Sequence, residues 1–165
     1  YDQAQQSYEQ ALTLLRTVGQ RALEKAVLGH IGDLYVAQNQ PELAIVFYKQ
    51  SVELTEALRQ TLQTLPREQR EAYAATVDTT YRSLADLLLD QGRILEAQQV
   101  LELLKVEELR EFTRASYSTG TLIYDPEEER VMEGYDSLIA IGADIAACHP
   151  DCDEALYNRR RDLLA

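Results

Sequence analysis

Basic residues are scarce in this chain. Its 165 residues carry 16 Lys plus Arg against 28 Asp plus Glu, a formal charge of −12 at pH 7. Phosphate binding needs a basic stripe, so this balance argues against nucleic acid as a partner. Long apolar runs are also missing. None approaches the roughly 20 residues of a membrane span, and no signal-peptide core is visible, so no membrane partner is expected. What remains is 45% hydrophobic, ordinary for a folded domain and too high for a disordered tail. The chain starts at Tyr1, its only methionine is Met132, and it closes on the helical run RRRDLLA. That pattern suggests a segment of a longer protein.

Glycine and proline are few as well, seven and four. Gly19, Pro41, Pro66, Gly92, Gly120, Pro126 and Pro150 cut the chain into pieces of helical length. Proline is tolerated in a first helical turn because its missing N–H would have been unpaired there. Asp125-Pro126-Glu127-Glu128 reads as an N-cap, a proline at the first helical position and an acid closing a capping box. Asp151 with Glu154 repeats that logic. Ile94, Ala97, Leu101 and Leu104 keep the spacing of one buried helical stripe, and so do Val131, Tyr135, Leu138, Gly142 and Ile145. The spacing predicts helices over 2–17, 20–38, 41–63, 66–91, 93–114, 126–147 and 152–164. Residues 115–124 read as a connector.

The chain also matches itself. Shifted by 40 residues, Ala4, Tyr8, Ala11, Leu12 and Leu14 fall on Ala44, Tyr48, Ser51, Val52 and Leu54. Shifted by 53, Leu28, Ile31, Gly32, Tyr35, Asn39, Ala44 and Tyr48 fall on Tyr81, Leu84, Ala85, Leu88, Gly92, Ala97 and Leu101. Each pair keeps size class and polarity. A small residue (Gly32, Ala85) lets two helices approach, and a second (Ala44, Ala97) sits opposite on the returning helix. Asn39 and Gly92 fall where a left-handed residue turns the chain.

This order of large, small and large residues resembles the tetratricopeptide repeat family over about residues 1–105. The motif reads LGHIGDLYVAQNQPELAIVFYKQSVEL at 28–54 and YRSLADLLLDQGRILEAQQVLELLK at 81–105. Residues 1–14 match a returning helix without its partner. The resemblance implies an all-α fold: an α-solenoid of antiparallel helix pairs in a right-handed superhelix, followed by a helical hairpin. The repeat region would span 1–114, with a partial repeat at 1–19 and repeats at 25–62 and 67–114. A connector (115–125) and a C-terminal hairpin (126–165) would follow. Spacing longer than the family's usual repeat and the missing closing proline are departures that bear on pitch. Residues 65–114 further resemble the segment ahead of the caspase-like domain in bacterial, largely cyanobacterial, CHAT proteins. CHAT stands for caspase-related domains associated with tetratricopeptide repeats. That resemblance implies a sensor arm whose catalytic unit begins beyond Ala165.

Chemistry within the chain is thin. Cys148 and Cys152 flank a short turn, and three readings stay open: a disulfide, two structural thiols, or redox or metal chemistry. A disulfide would point to an extracytoplasmic compartment; cytoplasmic is the default otherwise. Cys148, His149 and Cys152 could supply soft ligands, but no second ligand pair lies elsewhere, so no metal and no cofactor are expected. His149 is adjacent in sequence to Cys148 and His30 is far from it, so no Cys/His dyad, and no enzyme, is expected. In a helical solenoid the first helix of each pair lines the concave face. With core positions at 28, 31 and 35 and at 81, 84 and 88, the opposite face carries Ala26, Gly29, His30, Asp33, Val36 and Ala37. Its second copy carries Thr79, Arg82, Ser83, Asp86, Leu89 and Asp90. Acids dominate and Arg82 is the single strong base. This disfavours the family's carboxylate clamp and favours a protein or peptide with basic residues in an extended segment, or an apolar helix, or a solvated face with no ligand. The expected role is a non-catalytic interaction scaffold that docks such a partner or packs on a downstream effector domain of the same chain. Homodimerisation through exposed repeat ends is a further expectation.

Overall fold

The computed structural model describes residues 1–62, 78–113, 122–149 and 152–164. Their helices, in chain order, are α1 (Asp2–Val18), α2 (Arg21–Ala37), α3 (Pro41–Leu62), α4 (Asp78–Asp90), α5 (Ile94–Thr113), α6 (Pro126–Cys148) and α7 (Glu154–Leu163). There is no strand among the described residues. Expectations for 66–77, for most of the connector and for a cap at Asp151 lie outside the described residues.

Three helix ends are closed in the same way, and the closure explains the pairing. Gly19, Asn39 and Gly92 all have positive φ, at 70°, 58° and 73°. At each, two backbone N–H groups turn back onto carbonyls of the last turn. Asn39 N donates to Val36 O and Gln40 N to Tyr35 O; Gly92 N donates to Leu89 O and Arg93 N to Leu88 O. A left-handed residue followed by a helix start sends the chain back alongside itself. So α2 returns as α3 and α4 returns as α5, each pair antiparallel.

Size complementarity then sets how closely the pairs pack. Gly32 sits under the ring of Tyr48, and a Cβ built there would meet the ring carbons Cε1 and Cδ1 at 2.6 and 2.7 Å. No larger residue fits without moving the ring. Ala44 is completely buried, and Ala85 and Ala97 are 1% exposed at the equivalent crossing. One cluster of buried side chains runs through α2 (Leu28, Ile31, Tyr35), α3 (Phe47, Val52), α4 (Tyr81, Leu84, Leu88) and α5 (Val100, Leu104). Ile94 departs from its expected stripe and points into solvent at 64% exposure. The stripe of α5 begins at Ala97 instead. The fold is that of a tetratricopeptide-like α-solenoid.

The C-terminal hairpin folds back over the repeats. α6 packs on both α1 and α3, the returning helices, and α7 packs on α6. Tyr135, Leu138 and Ile139 of α6 join the same buried cluster as the repeats. The Tyr135 ring meets Phe47 edge-on at 4.7 Å between centroids, and Phe47 in turn stacks on Tyr35 at 5.3 Å. Thr13 of α1 lies against the backbone of Ile139, 3.5 Å from its carbonyl oxygen. The start of α6 is built as its sequence predicts: Asp125 accepts from the N–H groups of Glu127 and Glu128, and Glu128 accepts from the Asp125 N–H. At α7 the capping side chain is Asp153, which accepts from Ala155 N.

Candidate functional site

The first helices of the two pairs, α2 and α4, present the face expected to be the groove. Ala26, His30, Asp33, Val36 and Ala37 of α2 are exposed there, as are Thr79, Arg82, Asp86, Leu89 and Asp90 of α4. Gly29 and Ser83 differ from these ten residues. Both are half-buried, because they lie in the seam between the helix pairs. A Cβ on Gly29 would sit 3.7 Å from Ser51 of α3 and 3.7 Å from Thr80 of α4. A Cβ there would make ordinary van der Waals contact, so Gly29 marks the contact between pairs and not a groove position.

One side chain ties this face together, and it comes from α3. The Tyr48 hydroxyl donates to Asp33 Oδ1 at 2.7 Å and also hydrogen-bonds Ser83. It thereby links α2 to α4. Burial pushes the Tyr48 phenol well above its ordinary pKa, and the carboxylate beside it pushes the same way. The phenol therefore stays protonated and keeps donating. One Asp33 oxygen is committed to that bond, and the other lies 3.5 Å from His30 Nδ1. His30 itself stacks under Tyr8 of α1, 6.3 Å between ring centroids. The repeat offset places His30 on Ser83 and Tyr8 on Tyr48, so the two tyrosines make equivalent contacts to the next first helix. Asp86, the counterpart of Asp33, is exposed on α4. The result is a face with carboxylates at matched repeat positions and apolar side chains, Val36 and Leu89, at another matched position.

The opposite side holds charges that the sequence reading missed. Lys49 of α3 is 1% exposed. Its Nζ donates to Glu96 of α5 and to Glu128 of α6, both at 2.8 Å, and to the carbonyl of Ile123 at 2.7 Å. Arg93 bonds Glu96 at 2.7 Å and Glu128 at 2.9 Å. Burial pushes Glu96 upward, but its bonds to Arg93 and Lys49 outweigh that and hold it below the usual carboxylate range. Forty residues earlier, Glu9 occupies the position of Lys49 with the opposite charge. It too is buried, and it pairs with Arg160 of α7 at 2.9 Å. Arg16 of α1 adds a bond to Asp136 of α6 at 2.6 Å. The available signal was a charged residue, Lys49, following the apolar run Ala44 to Tyr48 on a helix that must be buried.

Between α1 and the hairpin lies a cleft of about 660 Å³, lined by Thr13 and Leu14 on one side and by Gly142, Ala143 and Ala146 on the other. The Glu9–Arg160 pair is part of its lining. At the end of the hairpin Cys148 and Cys152 are joined in a disulfide with their Cα atoms 5.0 Å apart. Among the described residues no group of His, Cys, Asp and Glu is arranged to hold a metal ion, and no helix is long and apolar enough to cross a membrane.

The paired helices, the left-handed turns and the small residues at each crossing agree with one comparison. Residues 1–57 match the tetratricopeptide repeat family. The match takes in α1, α2 and most of α3, where Gly32, Ala44 and Tyr48 make the crossing. No curated protein and no solved structure matches the chain. Tetratricopeptide repeats generally mediate protein–protein interaction on a fold that is typically a non-catalytic scaffold.

Proposed function

We propose that this chain is a non-catalytic interaction scaffold whose α2–α4 face receives a protein segment bearing Lys or Arg. The observation that carries the reading is the pair Asp33 and Asp86, acids at matched repeat positions, both exposed on neighbouring first helices. Apolar flanks at Val36 and Leu89, 46% and 48% exposed, give such a segment something to bury. The net charge of −12 would steer a basic partner toward the chain and make association fall with added salt. The test is Asp33→Lys combined with Asp86→Lys, with binding of an arginine-rich peptide read by anisotropy at two salt concentrations. Loss of the Tyr48–Asp33 bond should cost about 1 kcal/mol of stability and leave the fold intact. Binding should weaken at least tenfold. Unchanged binding would remove this face from consideration.

A second reading makes the chain the sensor arm of a caspase-like protease whose catalytic unit follows residue 165. The docked hairpin favours it. Because α6 and α7 are held to α1, α3 and α5 by buried side chains and ion pairs, a load on the repeats would be passed to whatever is attached behind them. A longer parent sequence with no His and Cys in separate strand-and-turn contexts would end this reading.

A further inference from the structure

The two acids of the α2–α4 face share one repeat position but not one environment. Asp33 is held from behind by Tyr48 of α3. That tyrosine is 4% exposed, and its ring lies so close over Gly32 that a Cβ there would meet Cε1 at 2.6 Å. The ring is confined, and so is the direction of its hydroxyl. Ser83 of α4 hydrogen-bonds the phenol oxygen, and the phenol donates to Asp33 Oδ1 at 2.7 Å. A chain of hydrogen bonds running from α4 through α3 to α2 thus fixes one carboxylate oxygen. The Asp33 side chain is nonetheless 62% exposed, and its second oxygen lies 3.5 Å from His30 Nδ1. Asp86 is given no such support. Shifted by 53 residues, Leu101 stands where Tyr48 does and Ala85 where Gly32 does. Leu101 packs against the core and has no hydrogen to donate, while Asp86 is exposed.

We infer that Tyr48 is a positioning residue for the groove: it fixes Asp33 as the primary anchor for a Lys or Arg of the partner and leaves Asp86 as a secondary, adjustable one. This rests on the reading that the α2–α4 face takes a basic segment. A side chain ordered before binding loses less freedom on binding, so the fixed carboxylate holds a cation more tightly than the free one. Tyr48 acts from beneath the surface, through Asp33, and does not itself meet the partner. The two matched acids are therefore unequal, and the inequality comes from the residue behind them.

The test reads the anisotropy of a fluorescent arginine-rich peptide against the whole 165-residue chain. Asp33→Asn should weaken binding roughly tenfold, and Asp86→Asn clearly less. Tyr48→Phe keeps the ring against Gly32, so the chain should fold, and binding should weaken about fivefold. In the Asp33→Asn background the same tyrosine change should add nothing, a result that general loss of folding would not reproduce. Unchanged or tighter binding by Tyr48→Phe, with Asp33→Asn still weakened, would overturn the assignment and leave the groove standing. So would a Tyr48→Phe loss that persists in the Asp33→Asn background, or an Asp86→Asn loss equal to or larger than that of Asp33→Asn. Asp33→Asn and Asp86→Asn both without effect would remove the groove itself, and the role of Tyr48 with it.

Discussion

The chain contains two kinds of helix contact, one within the repeats and one between the repeats and the hairpin, and different forces contribute to them. In α2–α3 the crossing is a matter of size: Gly32 accepts a tyrosine ring, Ala44 lies fully buried, and Leu28, Ile31, Phe47 and Val52 fill the flanks. In α6–α7 the second helix has no buried residue. Where the hairpin meets the repeats, α6 supplies the buried apolar side chains and ion pairs add to them: Lys49 to Glu128, Arg93 to Glu128, Arg16 to Asp136, Glu9 to Arg160. The repeat body is therefore specified by shape, whereas the hairpin is placed on it by shape and charge together, with buried ion pairs beside Tyr135, Leu138 and Ile139. Glu9 and Lys49 sit at one repeat position with opposite signs, so each end of the hairpin can find only one of them.

The largest effect should come from breaking that charge code at its buried centre. Lys49→Ala leaves Glu128, 4% exposed, with only Arg93 to balance it, and should destabilise the chain by about 3 kcal/mol in denaturant melts. Adding Glu128→Gln to that variant should recover part of the loss. A single-variant loss below about 1 kcal/mol would mean the pair behaves like a surface ion pair and that shape, not charge, places the hairpin. Next in size is a test of the other half of the comparison. Ala44→Leu overfills the α2–α3 crossing and should cost about 2 kcal/mol. Ala4→Leu, the same change at the same repeat position, should stay within about 0.5 kcal/mol because Ala4 is exposed. Equal costs at the two positions would refute the size argument.

This division also explains what could be read from the chain alone. Size classes at fixed spacing are local information, and they located α2, α3, α5 and the described part of the expected helix 66–91 (α4, Asp78–Asp90), the turns at Asn39 and Gly92, and the buried crossing at Gly32 and Ala44. The Asp125 cap was legible because capping depends on four consecutive residues. The docking of the hairpin was not legible, because Lys49 meets Glu128 across 79 residues and Glu9 meets Arg160 across 151. A buried lysine looks, in sequence, like any polar residue on a helix until the surface that covers it is known. Ile94 was misplaced for a related reason: it keeps helical spacing with Ala97, but it stands at the very start of α5 and is 64% exposed. On the α2–α4 face, Gly29 and Ser83 lie half-buried in the seam between pairs, and spacing alone cannot separate a seam from a groove.

The smallest expected effect sharpens the comparison through pH. Asp125 caps α6 and lies near Arg93, and the N–H groups of Glu128 and Glu127 together with that guanidinium hold its carboxyl below the ordinary range, as Glu96 is held by Arg93 and Lys49. A carboxylate with a depressed folded-state pKa adds stability that is complete above its unfolded value, near 4, and is lost as pH falls through the folded value. Both groups belong to the hairpin's anchoring network and neither touches the Gly32 crossing. Acid should therefore loosen α6 before it melts α2–α3, with hydrogen-exchange protection falling first at Val131 to Ile141 and last at Leu28 to Tyr35. Asp125→Ala should cost about 1 kcal/mol at pH 7 and flatten the acid limb of that profile. Loss of protection in both regions at one pH would show a single cooperative unit, in which shape and charge are not separable.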